Sequence, residues 1–256
     1  MQHPINTFLS AVRADRPQIG YWLALASDHV AEAVASVGFD WLLIDGEHGP
    51  NNLQTALQQM RAIAPYDSHP VARLVNDDVA LIKQYLDVGF QTLLIPMVDT
   101  AEQAARIVGA MHYPPRGFRG DGAAIARASR WGQVADYMDN ASAQLCCLVQ
   151  AETTAALSNL EAIANTDGVD GVFFGPADLS ASMGHPGNAD HPDVQKAIFD
   201  GIAVVRCAGK AAGIITTQRE AASAYLTAGA RFVAVGADSI SLMQSARALR
   251  ADFPGG

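Results

Sequence analysis

Eight short apolar runs recur along the chain, and each is followed by an amphipathic segment long enough for a helix. This alternation constrains the fold strongly, because strands joined through helices pair in parallel. Eight strand–helix units in 256 residues match the count and length of a (β/α)8 TIM barrel. The predicted strands are 19–25, 41–45, 70–75, 92–97, 145–151, 171–174, 212–216 and 232–235.

We expect one domain spanning residues 1–256, with a doubly wound α/β sheet as the alternative fold. That alternative is weaker, because no glycine-rich fingerprint follows the first strand, where a dinucleotide-binding fold needs one. No nucleotide cofactor is therefore predicted. Good N-cap residues precede the first four predicted helices: Ser27-Asp28, Asn51-Asn52, Asp77-Asp78 and Asp99-Thr100.

Composition excludes several function classes. The net charge of −9 argues against nucleic acid as a partner, because phosphate binding needs a basic face. No apolar run approaches the 18 or so residues of a membrane span, and the N-terminal residues lack a signal-peptide pattern. The three cysteines, Cys146, Cys147 and Cys207, form neither a disulfide framework nor a zinc pattern. We expect a cytoplasmic protein in a reducing compartment, with no membrane partner.

One segment, 113–144, interrupts the alternation between the fourth helix and the fifth strand. It is too long for a plain connection, and long loops in compact domains are usually functional. We predict a short helix within it, near residues 133–138.

Acid and base groups follow the second predicted strand at once: Asp45, Glu47 and His48. Catalytic groups of barrels lie at the carboxyl ends of strands, and histidine transfers protons near neutral pH. The alternative is a polar turn with a helix-capping acid. Arg73 ends the third strand, where it forms either a salt bridge to Asp45 or Asp78, or a clamp on a carboxylate or enolate oxygen.

Two carboxylates follow consecutive strands, Glu152 after the fifth and Asp178 after the sixth. Neighbouring strands lie about 4.8 Å apart, so both carboxylates can reach one Mg²⁺ or Mn²⁺ ion. Alternatively, each caps the helix that follows it. The only lysines are Lys83, Lys196 and Lys210, and none is placed to form a Schiff base. Carbonyl chemistry here would need a metal as its electron sink.

Four motifs together resemble the HpcH/HpaI aldolase family, the metal-dependent class II pyruvate aldolases. They are FDWLLIDGEH at 39–48, QTLLIPM at 91–97, ARASRW at 126–131 and GPADLS at 175–180. The resemblance covers nearly the whole chain. It implies reversible cleavage of 4-hydroxy-2-oxo acids to pyruvate or hydroxypyruvate and an aldehyde, with Mg²⁺, Mn²⁺ or Co²⁺. It also implies a homo-hexamer, a trimer of dimers with an exchanged C-terminal helix.

The resemblance also assigns catalytic roles. Glu152 and Asp178 match the metal ligands, His48 the general base, and Asp45 the acid that pairs with that base. Arg73 matches the group that stabilises the enolate-like transition state. Each of these residues is present in this chain.

Asp87, near the end of the third predicted helix, looks structural from the residues alone. The resemblance instead makes it an acid that raises the histidine's basicity across a subunit interface. No family role falls on Glu47, for which we expect a structural role. The candidate substrate contacts complete the set, although the first of them is more often a core residue: Trp22, Gln150, Gly175, Pro176, Ala177 and Asp178.

Asp121 stands where relatives tend to have a small or apolar residue, and the C-terminal end, 252–256, is shorter than in some relatives. Both lie near places that shape the aldehyde pocket. Two other functions stay open. One is a related lyase acting on acyl-CoA thioesters such as malyl-CoA or citryl-CoA, which the scarcity of lysine disfavours. The other is a non-catalytic barrel that binds a 2-oxo acid.

Overall fold

The computed structural model describes residues 1–253 and contains a closed barrel of eight parallel strands, paired in chain order from first to last. This confirms the predicted (β/α)8 TIM barrel and excludes the doubly wound sheet. The strands are β1 (Gln18–Leu23), β2 (Trp41–Asp45), β3 (His69–Arg73), β4 (Thr92–Ile95), β5 (Cys146–Ala151), β6 (Gly171–Phe174), β7 (Ala211–Ile215) and β8 (Phe232–Ala237).

Helices surround the barrel. They are α1 (Thr7–Arg13), α2 (Asp28–Ala35), α3 (Leu53–Ile63), α4 (Val79–Val88), α5 (Ala101–Met111), α6 (Tyr137–Asn140), α7 (Thr154–Ser158), α8 (Leu160–Ala164), α9 (Pro176–Ser182), α10 (Pro192–Cys207), α11 (Arg219–Ala228) and α12 (Asp238–Ala251). Ser27, Asn52, Asp78 and Thr100 cap the starts of α2 to α5 through side-chain oxygens, as the sequence predicts. Within the described residues, none of these helices has the length and apolar character needed to cross a membrane.

Side chains alternate between two cores along each strand. In β2, Trp41 and Leu43 point into the barrel, whereas Leu42 and Ile44 pack against the outer helices. The barrel interior is filled by aromatic and branched side chains, and α1 closes its amino end by placing Phe8 against Trp41. Because side chains fill the interior and α1 covers the amino end, the rim at the carboxyl ends of the strands is the place for a substrate site.

Segment 113–144 forms a small core of its own, which includes Tyr113, Val134 and Tyr137. The helix predicted near 133–138 is shifted and begins at Tyr137. The reason is a turn at residues 130–132, where all three residues have positive φ, so regular helix starts only after this reversal.

The last helix, α12, is exposed from Ile240 onward. Its apolar side chains Ile240, Leu242, Met243 and Leu249 are exposed by 40–63%. The predicted exchange of this helix between subunits stays a prediction. Residues 254–256 of the predicted short C-terminal end lie outside the described residues.

Candidate active site

Asp45 turns the chain at the carboxyl end of β2. One of its side-chain oxygens accepts hydrogen bonds from the backbone N–H groups of Glu47 (3.0 Å) and His48 (3.3 Å). Gly46 lies between Asp45 and Glu47, at a position where a Cβ would come within 2.7 Å of the Arg73 carbonyl oxygen. Glycine is therefore needed for this close approach, and the turn presents two further ionisable side chains at the rim.

Arg73 reaches Asp45 from the neighbouring strand. The two residues are paired in the β2–β3 register, and the guanidinium donates to both carboxylate oxygens, at 2.9 and 2.7 Å. Burial opposes ionisation of Asp45, but these hydrogen bonds outweigh it and lower the pKa of its carboxyl. Trp22 donates from Nε1 to Asp45 at 3.2 Å, and its ring centroid lies 5.0 Å from the guanidinium carbon. Trp22 thus fixes the ion pair.

The structure shows the salt bridge to Asp45 that the sequence offered as one role of Arg73, and the pairing of Asp45 with the His48 side chain stays a prediction. Asp45 is paired with Arg73, and its only hydrogen bond with His48 is through the backbone N–H of that residue. The His48 side chain is 66% exposed and faces the mouth of the barrel. Exposure leaves its imidazole accessible to a substrate or to a second protein chain.

Glu47 lies beside Arg73 and His48 at the rim, and the structural role expected for it stays a prediction. Its Oε2 lies 2.8 Å from Arg73 Nη1 and 4.0 Å from His48 Nε2. The contact with Arg73 is a close ion pair without hydrogen-bond alignment, so this buried oxygen has no aligned donor. Burial raises the pKa of Glu47, while the charges of Arg73 and His48 oppose the rise. The position of Glu47 in the same turn as Asp45 is the sequence signal that could have indicated its contact with Arg73.

Glu152 follows β5 and is almost completely buried. Its two oxygens accept from the backbone N–H of Met97 at 2.8 Å and from Gln150 Nε2 at 2.5 Å. Burial raises the pKa of Glu152 to about 7; the Met97 N–H opposes the rise, and the negative charges of Glu47 and Asp178 add to it. Gln150 Oε1 is buried without a hydrogen-bond partner.

Asp178 lies in the first turn of α9, which begins directly after β6 with Pro176 as its first residue. Gly175 precedes it, and a Cβ there would come within 2.4 Å of Glu152 Oε2 and 2.7 Å of Gln150 Nε2. The missing side chain therefore lets the two segments approach each other. Ala177 and Asp178 are exposed at the rim.

Neither Glu152 nor Asp178 acts as a helix cap. Thr153 caps α7 through its own hydroxyl, and the Asp178 side chain makes no capping hydrogen bond in α9. The helix-capping alternative is therefore wrong for both carboxylates. Two carboxylates in reach of each other's charge, with an unpartnered amide oxygen beside Glu152, match the hard oxygen ligands that Mg²⁺ and Mn²⁺ prefer. These residues fit a divalent cation.

The structure does not bring Asp87 to the His48 of the same chain. Asp87 lies near the end of α4, at the amino end of the barrel, where it binds Arg119 at 2.6 Å. Eight residues of helix separate it from the start of α4, which corresponds to about 12 Å. Asp121 accepts the backbone N–H of Ala123 in segment 113–144.

The barrel and its grouped acid, imidazole and guanidinium groups define an enzyme of the (β/α)8 class. The family model for HpcH/HpaI aldolase/citrate lyase matches residues 18–245. The chain therefore belongs to the HpcH/HpaI aldolase/citrate lyase family, which confirms the resemblance seen in the sequence.

Individual relatives agree with this assignment. The chain is 56% identical over all 256 residues to a hydroxypyruvate/pyruvate aldolase of Pseudomonas aeruginosa, of which it covers 96%. It is 57% identical over 248 residues to a 4-hydroxy-2-oxo-heptane-1,7-dioate aldolase of Klebsiella pneumoniae, with coverage of 97% of this chain and 94% of that protein. A crystal structure of a family member from Burkholderia cenocepacia matches with a TM-score of 0.93 at 39% identity, covering 98% of this chain and 100% of that one.

Proposed function

We propose that this protein is a metal-dependent aldolase that reversibly cleaves 4-hydroxy-2-oxo acids into an aldehyde and pyruvate or hydroxypyruvate. One observation carries the proposal: Glu152 and Asp178 are grouped at the rim and serve no capping role. Relatives named for this class of reaction, at 56–57% identity, support it.

Glu152 and Asp178 would hold the cation, which is Mg²⁺, Mn²⁺ or Co²⁺. When bound there, the cation supplies the positive charge that polarises a 2-oxo group and stabilises an enolate. Gln150 and the backbone N–H groups of Ala177 and Asp178 would orient the substrate carboxylate, because the first N–H groups of a helix have no partner within it. The N–H of Gly175 donates to the Ala151 carbonyl oxygen, so Gly175 would contact the substrate through the space that its missing side chain leaves. Pro176 is the first residue of α9 and would line the substrate site beside these N–H groups.

Proton transfer is the role of His48. In the cleavage direction its imidazole takes the proton of the 4-hydroxyl group, and the C3–C4 bond breaks to release the aldehyde. The electron pair of that bond stays with the 2-oxo acid as an enolate, which is then protonated at C3. Arg73, fixed by Asp45 and Trp22, faces the enolate oxygen.

We place Asp87 of a neighbouring subunit beside His48, where its negative charge would raise the basicity of the imidazole. The assembly we propose is a homo-hexamer, a trimer of dimers, with α12 exchanged between subunits. The exposed apolar side chains of α12 support this, because isolated apolar faces of this kind are covered by partners. The protein would act in the cytoplasm on small molecules.

Metal removal tests the proposal. We expect EDTA treatment followed by gel filtration to lower cleavage of a 4-hydroxy-2-oxo acid by at least about 100-fold, since two of the site's carboxylates are assigned to the cation. Pyruvate release is measured with lactate dehydrogenase. Added Mn²⁺ or Mg²⁺ should restore activity to the native protein and to Glu161→Gln, a control at an exposed glutamate, but not to Glu152→Gln.

Two results would contradict this assignment. Full activity in EDTA would exclude the cation, and a covalent adduct after borohydride treatment with pyruvate would indicate a Schiff base instead. We expect no adduct, because none of the three lysines lies in the described site.

A further inference from the structure

A second group of buried polar side chains lies at the amino end of the barrel, where segment 113–144 covers α4. The Arg119 side chain is completely buried, and its Nη2 donates to Asp87 Oδ1 at 2.6 Å. Its guanidinium carbon lies 4.5 Å from the centroid of the Tyr113 ring. Asp87 itself is 28% exposed, so the pair reaches the surface only through the carboxylate.

The Arg119 guanidinium makes few hydrogen bonds for a buried cation. Arg119 Nε and Nη1 and the Tyr113 hydroxyl have no aligned hydrogen-bond partner among the described residues, and the neutral hydroxyl of Tyr137 is the polar group beside them. A buried guanidinium has five N–H donors, and leaving several unpaired costs free energy that a single carboxylate contact does not recover. Stability alone is therefore a weak explanation for burying this cation beneath Asp87.

We infer that Arg119 is a positioning residue, which holds the Asp87 carboxylate in a fixed orientation toward His48 of a neighbouring subunit. The inference rests on the proposed function, in which Asp87 acts across a subunit interface. Arg119 binds one carboxylate oxygen of Asp87, Oδ1. The other oxygen, Oδ2, lies 3.6 Å from the position that a Cβ of Gly122 would occupy, so the absence of a side chain at Gly122 leaves space beside it.

Among the groups around the Arg119–Asp87 pair, Arg119 is the cation that contacts the Asp87 carboxylate. Asp121 in the same segment is negative, and Tyr113 and Tyr137 are neutral because burial raises the pKa of both hydroxyls, that of Tyr113 to about 12. Lys83 lies one turn earlier on α4 and extends toward Gly120. On the side of His48, Glu47 is the nearest acid in its own chain, at 4.0 Å.

A purely structural role is the competing explanation, because Arg119 also ties segment 113–144 to α4. The chain offers a matched control for that role. Arg127, in the same segment, donates from Nη1 to the carbonyl oxygen of Val88 at 2.9 Å, one residue after Asp87, without touching the carboxylate. Arg127→Met therefore loosens the same contact between segment and helix but leaves Asp87 in place.

The test is the pH dependence of kcat/KM for aldol cleavage by the full-length, metal-loaded enzyme. Its acid limb reports the basicity of the general base. We expect Asp87→Asn to move that limb to lower pH by about one unit, because it removes the negative charge near the imidazole. Arg119→Met keeps that charge but releases the carboxylate from its position, so we expect a shift in the same direction. Arg119→Lys should move it by less, and Arg127→Met should leave it unchanged. The double variant Asp87→Asn/Arg119→Met should match Asp87→Asn alone.

The outcomes distinguish a failure of the proposed aldolase function from a failure of the role of Arg119. No pyruvate release by the native enzyme would contradict the proposed function itself. A shifted limb in Asp87→Asn with native limbs in Arg119→Met and Arg119→Lys would overturn the role of Arg119 and keep that of Asp87. An unchanged limb in Asp87→Asn would overturn both roles. Melting temperatures show which variants fold. If Arg119→Met does not fold, the acid limb of Arg119→Lys is used to test the role of Arg119.

Discussion

The two ends of the barrel both bury polar side chains but satisfy them differently. At the amino end, Asn6 is fully buried, donates to Thr92 Oγ1 at 3.0 Å, and accepts the Leu9 N–H at 2.8 Å. At the carboxyl end, Glu47 Oε2 and Gln150 Oε1 are buried with no aligned partner. Buried polar atoms are nearly always paired in native proteins. The unpaired atoms of Glu47 and Gln150 are acceptor oxygens, which suit a cation, whereas the unpaired atoms of Arg119 and Tyr113 at the amino end are N–H and O–H groups.

Charge follows the same division. At the amino end, the hydrogen bond from Arg231, together with the charge of Arg206, lowers the pKa of exposed Asp15 to about 2. At the carboxyl end, burial and neighbouring acids raise the pKa of Glu152 to about 7. At the amino end the charged groups are paired with opposite charges, whereas the carboxyl end holds more carboxylates than the single cation Arg73 can pair. For the site of its own subunit, the amino end therefore contributes stability and the carboxyl end the chemistry, a division that substitutions at each end can break or sharpen.

The largest effect is expected from Arg73→Ala at the carboxyl end. We expect kcat/KM for aldol cleavage to fall by about 10³-fold or more, because the variant removes the donor that we propose for the enolate oxygen. It also leaves the buried Asp45 carboxylate without its cation. Pyruvate release coupled to lactate dehydrogenase measures the loss.

Arg73→Lys separates the two causes. Lysine keeps the positive charge but cannot make the paired hydrogen bonds to Asp45. We expect it to recover more of the melting temperature than of the activity. Activity of Arg73→Ala within tenfold of the native enzyme would exclude this residue from the transition state.

Most of the fold could be predicted from the sequence, because strand–helix alternation is a local pattern that repeats eight times. All eight strands lie where apolar runs predicted them, with ends displaced by one or two residues at most positions. Segment 113–144 was harder, since its turn at Arg130 and Trp131 uses positive φ in residues that rarely adopt it. No local sequence pattern predicts such a turn.

The site was only partly predictable. The residues at strand ends were found because barrel geometry dictates where functional groups lie. The partner of Asp45 was not fixed, since the choice between His48 and Arg73 depends on the register between β2 and β3. Arg119 had no sequence signal, because its contact with Asp87 joins residues 32 positions apart through an irregular segment.

A smaller effect is expected on the stability of the metal-free protein at the carboxyl end. An unfolded Glu152 ionises near its ordinary pKa of 4.5, whereas the folded protein holds the proton to about 7. Between these values the native state binds more protons than the unfolded state, so stability falls as pH rises. We expect the native protein to lose roughly 2–3 kcal/mol relative to Glu152→Gln between pH 4.5 and 8.

Urea unfolding in the presence of EDTA measures this difference at each pH. Glu161→Gln, at an exposed position of α8, is the control and should follow the native curve. Parallel curves for the native protein and Glu152→Gln would show that burial does not perturb this carboxyl. Added Mn²⁺ should remove most of the pH dependence, because the bound cation favours the ionised carboxylate.

The smallest effect is expected from Arg13→Ala, the counterpart of Arg73→Ala at the amino end. Arg13 also pairs with an aspartate on the barrel, Asp170, at 2.9 Å, but its side chain is 60% exposed, so water screens the pair. Asp170 keeps the backbone N–H of Cys147 at 3.0 Å as a second partner. We expect a loss of about 1 kcal/mol in unfolding free energy and activity within twofold of native. A tenfold loss of activity in a folded Arg13→Ala protein would show that the two ends are coupled, and the division between them would fail.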